Sequence, residues 1–514
     1  NISGFAADVN QVKVRIPAEV VTDESGNKNK ATEWNVYNVL RSTSAEKEET
    51  SGLLTSAFAD IELKVIQRQA IDNITFEKSI PDSVYDHNKK EITNKKRAWD
   101  VSAMGDQSIV AWLVDSEIKN GIYKVHIANN NQIPGNVVLT NNDIYANQDS
   151  SYLFGYIGYS NKSTSTEAIT NIGLLNVSSV INMSNMFAET GRTAMTNLDL
   201  GDKFDTSNVT NMSNMFAETG WISMTNLDLG DKFDTSNVTN MKGMFWSTGY
   251  TTMTSLDLGN KFDTSNLTDM TYMFYKTGYT AMTSLNLGDN FDTGKVTDME
   301  SMFMYTGYTA MTSLDLKDKF GTSNVTNMSE MFKYTGYKAM ASLDLGDKFD
   351  TSNVTNMSRM FYETGFTAMT ILDLGDKFDT SNVTDMSGMF ERTGCMAMTS
   401  LKLGDKFDTS NVTDMSEMFI GTGVEAMTSL SLGDKFNTKN VTDMTYMFSW
   451  TGHTAMTSLD LGPAFTKIAD TSEDIFIDLG KAGAIVIQVP EAIFENNKTF
   501  KLSTDSTTTI AFEN

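Results

Sequence analysis

The sequence predicts an α/β solenoid, in which a parallel β column and short helices wind into stacked coils between β-rich ends. Three observations carry that expectation. A phase-setting aromatic recurs every 29 residues, at Phe204, Phe233, Phe262, Phe291, Phe320, Phe349, Phe378, Phe407, Phe436 and Phe465, after a degenerate start at Leu175. Each period divides into a segment with helix-like apolar spacing and a segment that alternates like a strand. No proline falls between Pro134 and Pro463, and a proline in a β column would remove a ladder hydrogen bond. Ten units fill 175–464, more than half of the 514 residues. A fixed period of roughly 20–50 residues is the signature of a solenoid.

The unit at 349–377 shows how each part is read. Val354, Met357, Met360 and Phe361 stand at i, i+3, i+6 and i+7, one face of a short helix of about two turns. Asn353 is placed to cap its start, and Thr364-Gly365 to end it, glycine entering the left-handed region without strain. Met369, Leu372 and Leu374 close the unit as a strand, and Gly375-Asp376-Lys377 turns the chain toward Phe378. Phe349, Val354, Met357, Met360, Phe361, Gly365, Met369, Leu372 and Leu374 are thus the expected repeat core. One such unit cannot bury its apolar face alone, whereas copies stacked at roughly 4.8 Å can.

These strings resemble a known family. Met-x-x-Leu-x-Leu at Met369, Leu372 and Leu374 resembles the leucine-rich repeat strand pattern. The string Phe-Asp-Thr-Ser-Asn-Val-Thr-(Asn/Asp)-Met-Ser-x-Met-Phe-x-x-Thr-Gly closely resembles the BspA-like leucine-rich repeat surface proteins of bacteria, also known for a lipoprotein-type domain first noted in mycoplasmas. The match runs through 175–464 and extends to flanks at 98–100 and 150–154. The resemblance implies a leucine-rich-repeat-like fold, export to the cell surface and a role in adhesion or surface architecture. It implies no catalytic residues. Departures are local: Gly321 and Asn437 replace the Asp after Phe, and Asn286, Lys402 and Ser431 replace the strand Asp.

Composition bounds the partners. A net charge of −25 excludes a basic stripe for nucleic acid. The 33 methionines read as fillers of the gaps between coils rather than as metal or cofactor ligands. Cys395 is the single cysteine and has no internal disulfide partner. No run of about 20 apolar residues is present, so no transmembrane helix is expected. The chain starts at Asn1 without a signal-peptide pattern, and reads as a processed form or a fragment.

In chain order, 1–92 reads as a β-rich domain, with strands expected at 12–16 and 61–65 and a basic linker at 89–97. Residues 93–174 read as the N-terminal cap of the solenoid, with strands at 109–114, 122–127 and 137–139, and with an aromatic stretch at 152–159 packing on the first coil. The array at 175–464 follows. Residues 465–514 lose the repeat and read as a C-terminal β-rich cap, with β segments at 476–479, 484–489 and 507–512.

Because the period is constant, positions 29 apart form columns. The column after the glycine reads Arg192, Trp221, Tyr250, Tyr279, Tyr308, Tyr337, Phe366, Cys395, Val424, His453. Its aromatic part, from Trp221 to Phe366, is the expected binding stripe for glycan or protein, against the alternative that it braces the wall. A second column, between the two strand leucines, is mostly Asp and faces solvent. With the turn residues it places Asp228, Asp231 and Asp234 close in sequence, and calcium between coils would relieve their repulsion. Catalysis has no motif: His87, His126 and His453 are scattered, and repeated Asp pairs do not make a unique site. The expected function is therefore non-enzymatic. The protein reads as an extracellular, bacterial cell-surface repeat protein, structural or adhesive, binding a host or matrix protein, a glycan or copies of itself by multivalent contact. The alternative is a soluble carbohydrate- or protein-binding module that uses the aromatic column.

Overall fold

A coil laid on its own copy offers identical donors and acceptors at identical heights, so both backbone and side chains repeat along the stack. The computed structural model describes 144–469 apart from 317–318, most of 68–130, 472–480, 485–490 and Ile493, and the separate strands Lys13–Ile16, Thr32–Asn35, Val39–Leu40 and Thr509–Phe512. The strands expected at 61–65 and 137–139 lie outside the described residues. The chain forms two compact units, 1–211 with 227–234, and 212–226 with 235–514. Both contain coils of a parallel β-solenoid.

In the first unit, a five-stranded sheet runs in the order Ile169–Thr170, Ile71–Glu77, Tyr123–Asn129, Ile109–Trp112, Ala98–Asp100. The first three strands are parallel and the last two turn antiparallel. Strand Ile71–Glu77 bonds directly to Tyr123–Asn129, so residues on both sides of position 92 share one sheet. Within 89–97, Glu91–Ile92 pairs with Tyr85–Asp86 as a hairpin and buries Ile92. Coil geometry begins before the sequence repeat does. The Tyr152, Phe154 and Tyr156 amides donate to the Ser184, Met186 and Ala188 carbonyls, and Phe154 stacks on Phe187 at 5.3 Å. The buried Arg68 guanidinium donates to the Tyr152 and Gly155 carbonyls of this early coil.

In the second unit the coils are regular. Strand Ser313–Asp315 pairs in parallel with Ser342–Asp344, and Ile371–Asp373 with Ser400–Lys402, leucine opposite leucine. Single parallel bridges run through Asp269, Asp298, Asn327, Asn356, Asp385, Asp414 and Asp443 as a second ladder. Phe349, Val354, Met357, Met360, Phe361, Met369, Leu372 and Leu374 are all at most 3% exposed. At about 1.5–3 kcal/mol for each large apolar side chain buried, these inner columns supply most of the stabilisation. Two phenylalanine columns stack between coils, Phe349 on Phe378 at 6.2 Å and Phe361 on Phe390 at 5.6 Å.

The short helix expected from Val354 to Phe361 does not form, and the leucine-rich-repeat-like α/β detail goes with it. The segment is a ladder of stacked β-turns. The Met360, Tyr362 and Thr364 amides donate to the Met357, Arg359 and Phe361 carbonyls three residues back. The alternate amides of Met357, Arg359, Phe361 and Glu363 donate to Asp385, Ser387, Met389 and Glu391 in the next coil, at 2.8–3.0 Å. Positive φ at Arg359 and Glu363, the third residue of a turn, is the type II signature. The physical reason is spacing. A helix with side chains is about 10–12 Å across, whereas strands in register stack at about 4.8 Å, so helices in every coil would prise the β ladder apart. The i, i+3, i+6, i+7 spacing is met equally by a turn ladder that returns side chains to the core.

Side chains expected to cap a helix work between coils instead. Asn353 Nδ2 donates to the Ser323 carbonyl of the preceding coil at 2.7 Å, and Asn382 and Asn411 repeat the bond. Thr364 is fully buried, and its hydroxyl donates to the Phe332 carbonyl at 2.7 Å. Gly365 has φ +54°, and a Cβ there would fall 2.6 Å from Met369 Cβ and 3.0 Å from the Met340 carbonyl. Only glycine fits at this position.

The coil also outlasts the repeat at the C-terminal side. Strand Val486–Val489 pairs in parallel with Ser458–Asp460, and Thr509–Phe512 with Val486–Val489. The stretch 476–479, expected as β, forms turns stacked on 448–450 instead, with Phe476 on Phe448 at 5.4 Å.

Candidate recognition surface

The turn ladder creates a wall whose residues change from coil to coil while the inner residues do not. In the second unit, one left-handed column reads Asn214, Gly243, Tyr272, Ser301, Glu330, Arg359, Gly388, Glu417, Tyr446, and another Glu218, Ser247, Lys276, Tyr305, Tyr334, Glu363, Arg392, Gly421, Trp450. Every one of these residues has positive φ. Non-glycine residues there cost roughly 1–2 kcal/mol each, so bulky side chains are kept at positions where glycine would be less strained.

Trp221, Tyr250, Tyr279, Tyr308, Tyr337 and Phe366 form one continuous stack. Successive ring centroids are 4.3, 4.6, 4.6, 4.6 and 4.7 Å apart and the planes lie within 8° of parallel. The Arg392 guanidinium lies 5.0 Å over the Phe366 ring. The internal ring faces are therefore covered by neighbouring rings, and the residues are half-buried, so what remains accessible of the inner rings lies at their edges. A second, shorter stack, Tyr305 on Tyr334 at 4.4 Å, runs beside it. Burial, with the adjoining phenols of Tyr250 and Tyr308, pushes the Tyr279 hydroxyl up to about 12. Burial, with Tyr337 and Glu363, does the same at Tyr308, also to about 12. Burial likewise raises Tyr305 and Tyr334, so the wall offers protonated hydroxyl donors across the physiological range.

Beside the stacks lies an open depression of about 380 Å³, lined by Tyr305, Lys333, Tyr334, Arg359, Tyr362, Glu391 and Glu417. Arg359 reaches Glu417 at 3.4 Å, Lys333 reaches Glu330 at 2.6 Å and Arg392 reaches Glu363 at 3.3 Å. No motif in the sequence marks these residues. The available signal was variation: at fixed 29-residue spacing, only the outward columns change chemical type.

The acidic columns have a local task. Asp228 Oδ1 accepts from the Gly230 amide at 3.0 Å and Asp263 Oδ1 from the Ser265 amide at 2.8 Å, turns in which the carboxylate caps the backbone two residues on. Among the described residues no three His, Cys, Asp or Glu side chains converge on a metal position, so Asp228, Asp231 and Asp234 are not brought together as a ligand set. Repulsion along the strand column is broken where Asp is replaced. Asn286 donates to Asp257 at 3.1 Å, Lys402 to Asp373 at 2.9 Å and Ser431 to Asp460 at 3.0 Å. The Lys402 ammonium holds the Asp373 carboxyl below its usual range.

Cys395 is buried, which pushes its thiol up to about 11 and suppresses the reactive thiolate. Both ring nitrogens of His126 are held by carboxylates, Glu77 at 3.0 Å and Glu117 at 2.8 Å.

A family model described as "Mycoplasma protein of unknown function, DUF285" matches in four overlapping stretches, 159–282, 249–365, 278–393 and 365–458. Together they span 159–458, more than half of the 514 residues. The chain belongs to this family. The wall columns from Trp221 to Trp450 all lie inside the matched span. No curated protein and no solved structure matches the chain. Among the described residues, no helix is long and apolar enough to cross a membrane.

Proposed function

We propose that the protein is a non-enzymatic surface repeat protein that holds a protein partner outside the cell through the aromatic wall of its second unit. The carrying observation is the chemistry of that wall. Tyr305, Tyr334, Arg359, Arg392 and Trp450, of the residue types that anchor protein interfaces, stand at left-handed positions that strain the backbone, beside the continuous stack from Trp221 to Phe366. The family membership and the solenoid support a surface repeat protein, and the narrower likeness to BspA-like adhesins belongs to this reading. The stack presents an aromatic ring at each coil from Trp221 to Phe366, so weak contacts add by multivalency. Sugar recognition by ring stacking has less support, because a sugar needs an open ring face and neighbouring rings occupy those faces at 4.3–4.7 Å.

The test is binding of the purified chain to a panel of immobilised matrix and cell-surface proteins, run beside a glycan array. The expected result is protein binding that falls at least about tenfold in the Tyr279→Ala/Tyr308→Ala double variant. Binding confined to glycans, or unchanged in the double variant, would overturn the assignment.

A further inference from the structure

We propose that the depression between Tyr305, Tyr334 and Tyr362 is a pocket for a cationic side chain, an ammonium or guanidinium group, presented by the partner. This deepens the reading of the wall as a protein-docking surface and rests on it.

Three features of the pocket converge. The first is room. The depression is open and about 380 Å³ in volume, and beside it Gly388 carries no side chain to displace Arg359 Cγ and Glu391 Oε2, which a Cβ there would meet at 3.0 and 3.3 Å. The second is an incomplete charge set. Lys333, Arg359 and Arg392 each hold a carboxylate, respectively Glu330, Glu417 and Glu363. The fourth carboxylate, Glu391, lines the pocket, and its Oε2 is buried without a hydrogen-bond partner. A buried acceptor left unsatisfied is costly, and a cation is the group that relieves it. The third is aromatic wall. Lys333 Nζ already lies 5.1 Å over the Tyr362 ring and 6.0 Å over Tyr334, so these rings accept a positive charge. An anionic ligand would meet Glu391 and find the three cations engaged. A neutral ligand without an N–H or O–H donor would leave Glu391 as it is, and a neutral donor would satisfy the oxygen without balancing its charge.

Proton linkage follows from the same geometry. Burial and the Glu417 carboxylate push Glu391 up to about 7, with Glu363 adding to this and Arg359 and Arg392 opposing it. A bound cation favours the ionised form. Binding therefore releases a proton near neutrality and tightens from pH 6 to pH 8.

The experiment uses the full chain and two small probes, Nα-acetyl-lysine methylamide and its norleucine counterpart, followed by ligand-observed NMR titration. The lysine probe is expected to bind at least about fivefold tighter than norleucine, with Glu391→Gln abolishing the difference and Tyr334→Ala weakening it about threefold. Wild-type affinity should rise from pH 6 to pH 8, and the Glu391→Gln profile should be flat. Equal lysine binding in wild type and Glu391→Gln, the result of diffuse attraction to a chain of charge −25, would overturn the proposal, as would norleucine binding equally well. The probes need no partner, so the two readings fail separately. Loss of lysine selectivity with partner binding still sensitive to Tyr279 and Tyr308 removes only the pocket. Lysine selectivity with partner binding insensitive to them removes the wider wall.

Discussion

The inner and outer columns of the second unit are made by the same coils and obey opposite rules. Met357, Met360, Phe361 and Thr364 are fully buried, and the same residue types recur at their places in the neighbouring coils. The outward positions between and beside them alternate among Tyr, Glu, Arg, Lys and Gly. The inner residues touch their own copies, so a change at one coil leaves a void or an orphaned carbonyl against two neighbours. The outer residues share one side with water and are free to differ. The wall can therefore carry recognition while the core carries stability, and substitutions at each measure how separate the two are.

The largest effect belongs to the core. Phe361→Ala opens a cavity between stacked phenylalanines and should cost about 3–5 kcal/mol in denaturant unfolding. Gly365→Ala should cost several kcal/mol by a different route, since its Cβ meets Met369 at 2.6 Å with φ at +54°. A change below about 1 kcal/mol at either site would show that coils adapt independently, and the contrast with the wall would fail.

Thr364→Val keeps the shape and removes the hydroxyl that satisfies the Phe332 carbonyl. The expected loss is about 1–3 kcal/mol, with no change in partner binding. Tyr308→Ala should do the reverse. It removes two ring contacts on a half-buried face, costing about 1–1.5 kcal/mol of stability, and partner binding, which Thr364→Val leaves unchanged, falls in the still-folded chain. Parallel losses of stability and binding would mean that the ladder is a brace and nothing more.

Glu391→Gln gives the smallest effect and the sharpest sign. The folded carboxyl titrates near 7, above its usual range, so the folded state binds the proton more tightly than the unfolded chain does. That contribution is present in full below the unfolded value, near pH 4, and is lost as pH rises through about 7. Discounted for partial exposure, Gln should match the wild type near pH 4 and be more stable by about 1 kcal/mol at pH 8. Thermal unfolding across that range checks it. A variant less stable than wild type at pH 8 would show that Arg359 and Arg392 satisfy Glu391 after all.

Much of this was legible before any coordinates. The 29-residue spacing of Phe204 to Phe465 identified a solenoid, because stacked copies are how a unit too small to bury its own face becomes stable. Apolar spacing in 349–377 named the buried side chains from Val354 to Leu374, because side-chain direction follows from periodicity, and Gly365 was legible as a left-handed position. Tertiary structure decided where the backbone bonds go. Met360 donates within its own coil and Phe361 to the next, a split set by the close stacking distance that no single coil contains. The same distance carries the ladder into 144–158 and 485–489, where the repeat has faded, because it requires inward apolar residues and free amides rather than a particular string. It also stacked the tyrosine column face to face, so that neighbouring rings cover its internal faces. The charge left over at Glu391 arises in the same way, since ion pairs such as Arg359 with Glu417 join residues that only coil stacking brings within reach.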